Sequence, residues 1–350
     1  MLKFLLKKSL YSFSVVLGII SLVFILFELM PADPAKIKLG DHATIEELER
    51  EREEMNLNES FINRYLLYLN DLSIVSIHQN ERLNIYQSLN LLSFDNYSLV
   101  LKKPYLNRSY IDDRLVSEKI WEAFPNTIIL AFTSIIIAII IGIPIGTLCA
   151  IKKDHFVDRF FSTTSILGMS LPSFFSAILI MWIFAYKLNW LTGLNVIGNL
   201  HELDDLGNGE SLKLKNLILP AITLGIRPIA VIVSLTRNSL LDSLSSNFVK
   251  VARAKGLSEY NVVVKHALRN SLIPVLTATS GWFASMLSGA VFVEYIFGWN
   301  GIGKLLVNSL ENVDIPLAMG LIILIGVCFV LINILVDLIY SVLDPRIKLN

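Results

Sequence analysis

The stretch Gly298 to Lys304, GWNGIGK, has the spacing of a phosphate-cradling loop, GxxxxGK, in which backbone N–H groups surround an anion and a lysine reaches it. The hydroxyl residue that should follow, to hold Mg²⁺, is replaced by Leu305, which argues against a nucleotide site. A second candidate is Arg227, a guanidinium inside an otherwise uncharged run. Its planar fork could grip a carboxylate, snorkel outward, or pair with an acid of another chain. Other chemistry is poorly provided for. The five histidines, at positions 42, 78, 155, 201 and 266, are scattered, and the two cysteines, Cys149 and Cys328, lie in apolar runs. A zinc cluster or a disulfide framework has no ligands at usable spacing. No apolar run holds paired carboxylates or a His that could face a Ser, so the sequence offers no catalytic residues.

Composition defines the elements that must position these residues. The 350 residues are 54% apolar and 17% charged, with 30 Lys and Arg against 30 Asp and Glu, and the mean hydropathy is +0.60. An ordinary globular domain carries about 25% charged residues. Here charge nearly vanishes from six runs, 9–29, 124–151, 160–186, 217–236, 272–293 and 316–336, which contain only Glu28 and Arg227. Roughly 20 apolar residues at helical rise cross the ~30 Å hydrocarbon core of a bilayer. The expectation is an all-α membrane protein with six transmembrane helices, which excludes a soluble enzyme, a disordered chain and a nucleic-acid binder. The first run follows Lys3, Lys7 and Lys8, is too long for a signal-peptide core, and ends at the Pro turn PADPA rather than at a cleavage site. It reads as a signal anchor.

Lys and Arg set the orientation. Segments 1–8, 152–159, 237–271 and 337–350 hold more than twice as many basic as acidic residues, whereas the segments between the other span ends are acidic on balance. Basic segments face the cytoplasm, so both termini are expected there, and the net charge of zero is a sum over two compartments. The chain then divides into a first helix (1–30), an extracytoplasmic segment (31–123) and a five-helix core (124–350) with a cytoplasmic loop at 237–271. In the outer segment, Thr44 and Glu47 form a capping box for a helix over 45–56, and FINRYLLYLNDL (61–72) is helical by spacing. Residues 73–105, rich in Asn, Ser and Leu, show no clear period and read as an irregular insert. GIPIG (142–146) has the small-xxx-small spacing of closely packed helices, expected within the chain. Pro144, Pro172, Pro220 and Pro228 can free backbone carbonyls along a water-filled route.

The loop 237–271 carries the densest pattern. FVKVARAKG (248–256) sets Phe248, Val251 and Ala252 on one face and Lys250, Arg253 and Lys255 elsewhere. Gly256 supplies a left-handed cap, Leu257 a hydrophobic contact beyond it, and Ser258 the N-cap of a second helix reaching about Asn270. Two readings stand: a solvated basic loop, or a docking knob whose small residues Ala252 and Ala254 let another protein come close.

VARAKGLSEYNVVVKHALRNSLIPVL (251–276) resembles the EAA loop of ABC importer inner-membrane permeases, in the dipeptide/oligopeptide/nickel branch. NRSYIDDRLVSEKIWEAFPNTIILA (107–131), SLPSFFSAILI (170–180), FVEYIFGWNGIGKLL (292–306) and VDLIYSVLDPRI (336–347) agree, over nearly the whole chain except about 73–105. Where the general motif begins Glu-Ala-Ala this sequence has Lys250, Val251 and Ala252, and Arg269 replaces its first proline while Pro274 keeps the second. The resemblance implies the type I ABC importer permease fold in a bacterial or archaeal cytoplasmic membrane. It implies coupling to an ATPase through Ala252, Arg253, Ala254, Gly256 and Leu257. It also implies an outer gate or translocation pathway including Glu294, Trp299, Gly301 and Gly303, with Trp299 at the membrane interface, and Arg227 as a candidate substrate contact. Implied partners are a second homologous permease, two cytoplasmic ABC ATPases that carry the ATP and Mg²⁺, an extracytoplasmic solute-binding protein and membrane lipid, with no nucleic acid and no cofactor on this chain. The cargo would be a di- or oligopeptide, with a nickel chelate or another small solute as the alternative. A channel or secondary transporter is the reading from another class; it lacks a buried acid near a span's middle and leaves the EAA-like loop without a purpose.

Overall fold

The computed structural model describes residues 2–31, 33–40, 42–80, 83, 86, 88–203 and 209–343. In chain order it has α1 (Leu2–Glu28), α2 (Pro34–Leu39), α3 (Ile45–Glu54), α4 (Phe61–Leu72), β1 (Val75–Gln79), β2 (Ser88–Ser93), β3 (Tyr97–Lys102), α5 (Val116–Ile151), α6 (Phe156–Ser170), α7 (Ser173–Ile180), α8 (Asn189–Thr192), β4 (His201–Leu203), β5 (Glu210–Leu212), α9 (Lys215–Ser245), α10 (Asn247–Ala254), α11 (Arg269–Gly289), α12 (Val291–Phe297), α13 (Ile302–Glu311) and α14 (Ile315–Leu343). Two π-helical stretches, Met181–Lys187 and Asn261–Leu268, follow α7 and precede α11.

A bilayer offers no hydrogen bonds, so a spanning segment must satisfy its backbone internally. Among the described residues, four helices are long and apolar enough to cross: Lys8–Glu28, Val116–Ile151, Lys215–Ser245 and Ile315–Leu338. The other two expected spans are bent pairs. Phe156–Ser170 and Ser173–Lys187 meet at 113°, and Asn261–Met286 and Val291–Phe297 at 60°. The first break has a local cause. Pro172 disfavours helical geometry at the residue before it, and Leu171 is extended at φ −72° and ψ 133°.

The chain divides into two compact units, Met1–Leu5 with Ala123–Leu305 and Cys328–Asn350, and Leu6–Glu122 with Leu306–Val327. In the first, Leu130, Ala131, Ala177, Leu219, Val293 and Trp299 share one core. The GIPIG spacing serves packing inside the chain: a Cβ on Gly146 would lie 2.6 Å from the Val233 carbonyl oxygen, so α5 touches α9 at backbone distance.

In the second unit, Thr44 and Glu47 form the expected capping box, though α3 stops at Glu54, and α4 covers the range its spacing predicts. The insert is not irregular. Its strands form an antiparallel sheet in the order β1-β3-β2, with Ser76, His78 and Ser98 buried while Val75, Ile77 and Leu101 are exposed. Apart from the fully buried Val100, the buried positions of β1 and β3 are polar, and an irregularity between Asn90 and Leu92 breaks the period in β2. Those two features hid the strands. Near the start of α14, the fully buried Asp314 accepts hydrogen bonds from Ser109 Oγ and from Tyr110 N at 3.1 Å.

Asp33 caps α2 by accepting from Ala35 N at 3.1 Å and accepts from Arg52 Nε at 2.9 Å. The hydrogen bond from the Arg52 guanidinium holds the Asp33 carboxyl below its ordinary range. A lowered folded value means that the pair stabilises the fold fully above about pH 3.9, the ordinary aspartate value, and less as pH falls through the lower folded value. Arg52→Gln should lower the melting midpoint at neutral pH, and the gap to wild type should close in strong acid. A gap of equal size at both ends of a melting-midpoint pH series would contradict this.

Candidate functional site

The P-loop-like stretch does close on an acidic group, and that group belongs to this chain. Glu294, fully buried on α12, accepts from Thr127 Oγ1 at 2.7 Å through Oε1, and from Gly303 N at 2.7 Å and Lys304 N at 3.3 Å through Oε2. Ile302 N donates to Thr127 Oγ1 at 2.9 Å. The first three N–H groups of α13, unpaired within a helix, are thus satisfied by one carboxyl group and one hydroxyl. A Cβ on Gly301 would fall 2.4 Å from the Glu294 carboxyl, and one on Gly303 would fall 2.5 Å from Val291 Cα. The glycines are there because the loop closes on that carboxylate.

Neighbouring residues lock the loop. Trp299 is fully buried and donates its indole N–H to the Asn126 carbonyl at 3.0 Å; Asn126 Nδ2 donates to Asn300 O at 2.8 Å, and Asn300 N to Asn199 Oδ1 at 2.7 Å. Trp299 is therefore a core anchor, with its indole N–H bonded inside the protein. Lys304 Nζ bonds Gly298 O at 3.0 Å and Asn300 Oδ1 at 2.9 Å, bracing the turn.

The hairpin at α10 is the second group. Gly256 has φ +76°, Gly256 N donates to Arg253 O at 2.9 Å and Leu257 N to Ala252 O at 3.4 Å, the paired bonds of a Schellman cap. Arg253 forms a fork to Glu259 at 2.9 and 3.2 Å, tying the two arms. One expectation needs correction. Ala252 faces inward with Val249, packed on Ala150, Leu240, Val262, Val263 and Ala267. With 3.6 residues per turn, Ala252 shares the buried face of Val249 rather than the face of Val251. The open surface is Phe248, Val251 and the run Arg253 to Tyr260, and nothing lies within 4 Å of a Cβ placed on Gly256.

Arg227 belongs to neither group. It is exposed in this chain alone, makes no hydrogen bond or ion pair among the described residues, and borders a cavity of about 40 Å³ with Leu171, Ser173, Ser176, Trp282 and Ser285, at the break between α6 and α7.

Sequence reasoning missed Asn126, Thr127 and Asn199, and also the pair Asp158 and Arg237. Arg237 Nε and Nη2 donate to the two Asp158 oxygens at 2.5 and 2.7 Å. A polar Asn-Thr step directly after Pro125, at the mouth of an apolar run, was the available signal for the first two. Asp158 and Arg237 stand at span ends 79 residues apart, where single charges are ordinary.

Residues 142–349 match the family described as binding-protein-dependent transport system inner membrane component, and residues 1–131 match its N-terminal membrane-component counterpart. The chain is 33% identical over 361 residues to the dipeptide transport system permease protein DppB of Alkalihalophilus pseudofirmus, covering 99% of this chain and 100% of that one. It is 32% identical over 354 residues to a putative peptide permease protein of Brucella suis, covering all of both. It is 31% identical over 348 residues to the glutathione transport system permease protein GsiC of Salmonella paratyphi A, covering 99% of each. Among solved structures, a chain of the MetNI methionine ABC transporter in an inward-facing conformation aligns at TM-score 0.52 and 16% identity, over 65% of this chain and 97% of that one. That likeness concerns the fold alone.

Glu294→Ala should cost several kcal/mol of stability, since each buried donor left without an acceptor costs about 1–3 kcal/mol, and Glu294→Gln less. Gly303→Ala, forced against Val291, should cost about 1–3 kcal/mol. Thermal unfolding of the purified protein measures both. A wild-type midpoint in Glu294→Ala would show that the carboxylate does not organise the loop.

Proposed function

The chain belongs to the binding-protein-dependent transport system inner membrane components, the permease subunits of ABC importers, and from that premise we propose that its cargo is a di- or oligopeptide. The observation that carries this reading is identity above 30% over essentially full length to permeases named for dipeptide, peptide and glutathione transport. The chain lines half of a pathway and a second, related permease lines the other half. Two ATPases bind on the cytoplasmic side, and a solute-binding protein delivers cargo outside. Both termini are cytoplasmic, which accords with the excess of Lys and Arg in the segments on that side.

The hairpin would work as a lever. The exposed run Arg253 to Tyr260 enters the ATPase, while buried Val249 and Ala252 fasten α10 to the ends of α5 and α9. ATP closes the ATPase pair and moves α10; the spans then exchange outward-open and inward-open arrangements, and hydrolysis resets them. ATP favours one state and the loaded binding protein selects when it is reached, so each ligand biases one bistable element. The knot at Glu294 keeps the loop before α13 rigid as part of the outer gate. Arg227, with no hydrogen bond or ion pair among the described residues, would take a peptide's terminal carboxylate with its fork.

Reconstitution with the ATPases and solute-binding protein that co-purify with this chain tests the reading. ATP-dependent uptake of labelled dipeptides is expected; uptake of a nickel chelate and no peptide would overturn the cargo assignment. Gly256→Val places a β-branched residue at positive φ and should abolish uptake with normal membrane insertion. Arg227→Ala should reduce uptake of free-carboxylate peptides about tenfold, one charge-assisted contact's worth, and spare C-terminally amidated ones. Equal loss on both would leave Arg227 a structural role only.

A further inference from the structure

Asp158 is 2% exposed and gathers four donors: the two Arg237 nitrogens, Ser162 Oγ at 3.2 Å, and Asp154 N at 3.0 Å. Asp154 takes φ +63° in the short turn between α5 and α6, where its N–H reaches the carboxylate. Such a set fixes geometry as well as charge, because the guanidinium fork accepts a carboxylate in one arrangement only. The pair joins the first turn of α6 to the last three turns of α9. A single residue, Ser246, separates α9 from α10.

Gly168, ten residues past Asp158, faces Ile226 and Ala230 on α9, at 3.3 and 3.5 Å from a Cβ placed on it. Small apolar faces inside a bilayer gain no hydrophobic drive for one register over another. The Asp158–Arg237 fork supplies a fixed register that such a small-residue approach does not. At its far end α6 stops at the Leu171–Pro172 break, beside the cavity that Arg227 borders.

We propose that Asp158 and Arg237 are positioning residues for transport, whose ion pair keeps α6 in register with α9 so that movement of α10 reaches the broken span α6–α7. The inference rests on the permease reading above. It assigns the pair a task separate from ATPase docking, since neither residue lies on the exposed face of the hairpin. The pull on α10 divides at Arg237: α9 carries it along its own axis, and the carboxylate hands it to α6.

The test uses the reconstituted complex with its ATPases and binding protein, and reads basal ATPase rate, stimulation by loaded binding protein, peptide uptake and melting midpoint. Asp158→Asn and Arg237→Gln should each cut stimulation and uptake about tenfold, within the usual range for a coupling between sites, while the basal rate holds and the fall in midpoint that follows from breaking a buried pair is too small to account for the loss at the assay temperature. The double variant should be no worse than the poorer single, because both remove one interaction. Arg237→Lys, which keeps charge but loses the fork, should fall between and serves as the informative variant if either single fails to assemble. Unchanged stimulation, additive losses in the double variant, or losses that only track a lowered midpoint would overturn the proposal. If the wild-type complex itself shows no stimulation by any loaded binding protein, the permease reading fails before the joint is tested.

Discussion

A carboxylate buried without a cation is the constraint on which the first unit's loop architecture depends. Among the described residues no Lys or Arg side chain pairs with Glu294; its oxygens are met by backbone N–H groups and a hydroxyl. Such an arrangement is costly unless every donor is in place. The donors come from α5 and from the start of α13, so Thr127, Gly301 and Gly303 cannot vary independently of Glu294. Trp299 and the chain of asparagines, Asn126, Asn300 and Asn199, then seal the turn. Irregular backbone among apolar spans is tolerated only where protein satisfies it, and here one side chain supplies most of that satisfaction.

The hairpin at α10 solves the opposite problem. Its inner face is ordinary core, and its outer face is left open, with Tyr260 at 71% exposure and Gly256 free of neighbours. A closed motif and an open one therefore sit in one unit. α9 relates them, since it packs on α5, carries Arg227 and Arg237, and leads into α10 with one intervening residue. The rigidity of the first site and the exposure of the second suit a lever with one fixed end.

Sequence made the spans legible because charge exclusion over about 20 residues is a strong signal. It made the helix-glycine-helix loop legible because Gly256 and Ser258 act locally. The breaks at Leu171–Pro172 and before Val291 were not legible as bends, since a run of apolar residues reads alike whether straight or folded back. The sheet over 75–102 was missed for a different reason: apart from Val100, the buried positions of β1 and β3 are polar, and Val75, Ile77 and Leu101 are exposed. The anion cradle was legible as a spacing, and Glu294 was named as a candidate, but nothing local ties an acid at 294 to N–H groups at 303 and 304. Thr127 and the Asp158–Arg237 pair depend on contacts over 79 to 175 residues, which no local periodicity encodes.

The central claim is that this chain takes its driving motion from an ATPase at the α10 hairpin. Site-specific photo-crosslinking in the assembled complex tests it most directly, with the reactive group placed in turn at Ala254, Tyr260, Ala252 and Leu66 on α4. The account predicts ATPase adducts from Ala254 and Tyr260 that change in yield with ATP, and none from the buried Ala252 or from Leu66. Adducts from Leu66, or none from the hairpin in a complex shown to contain the ATPases, would contradict it.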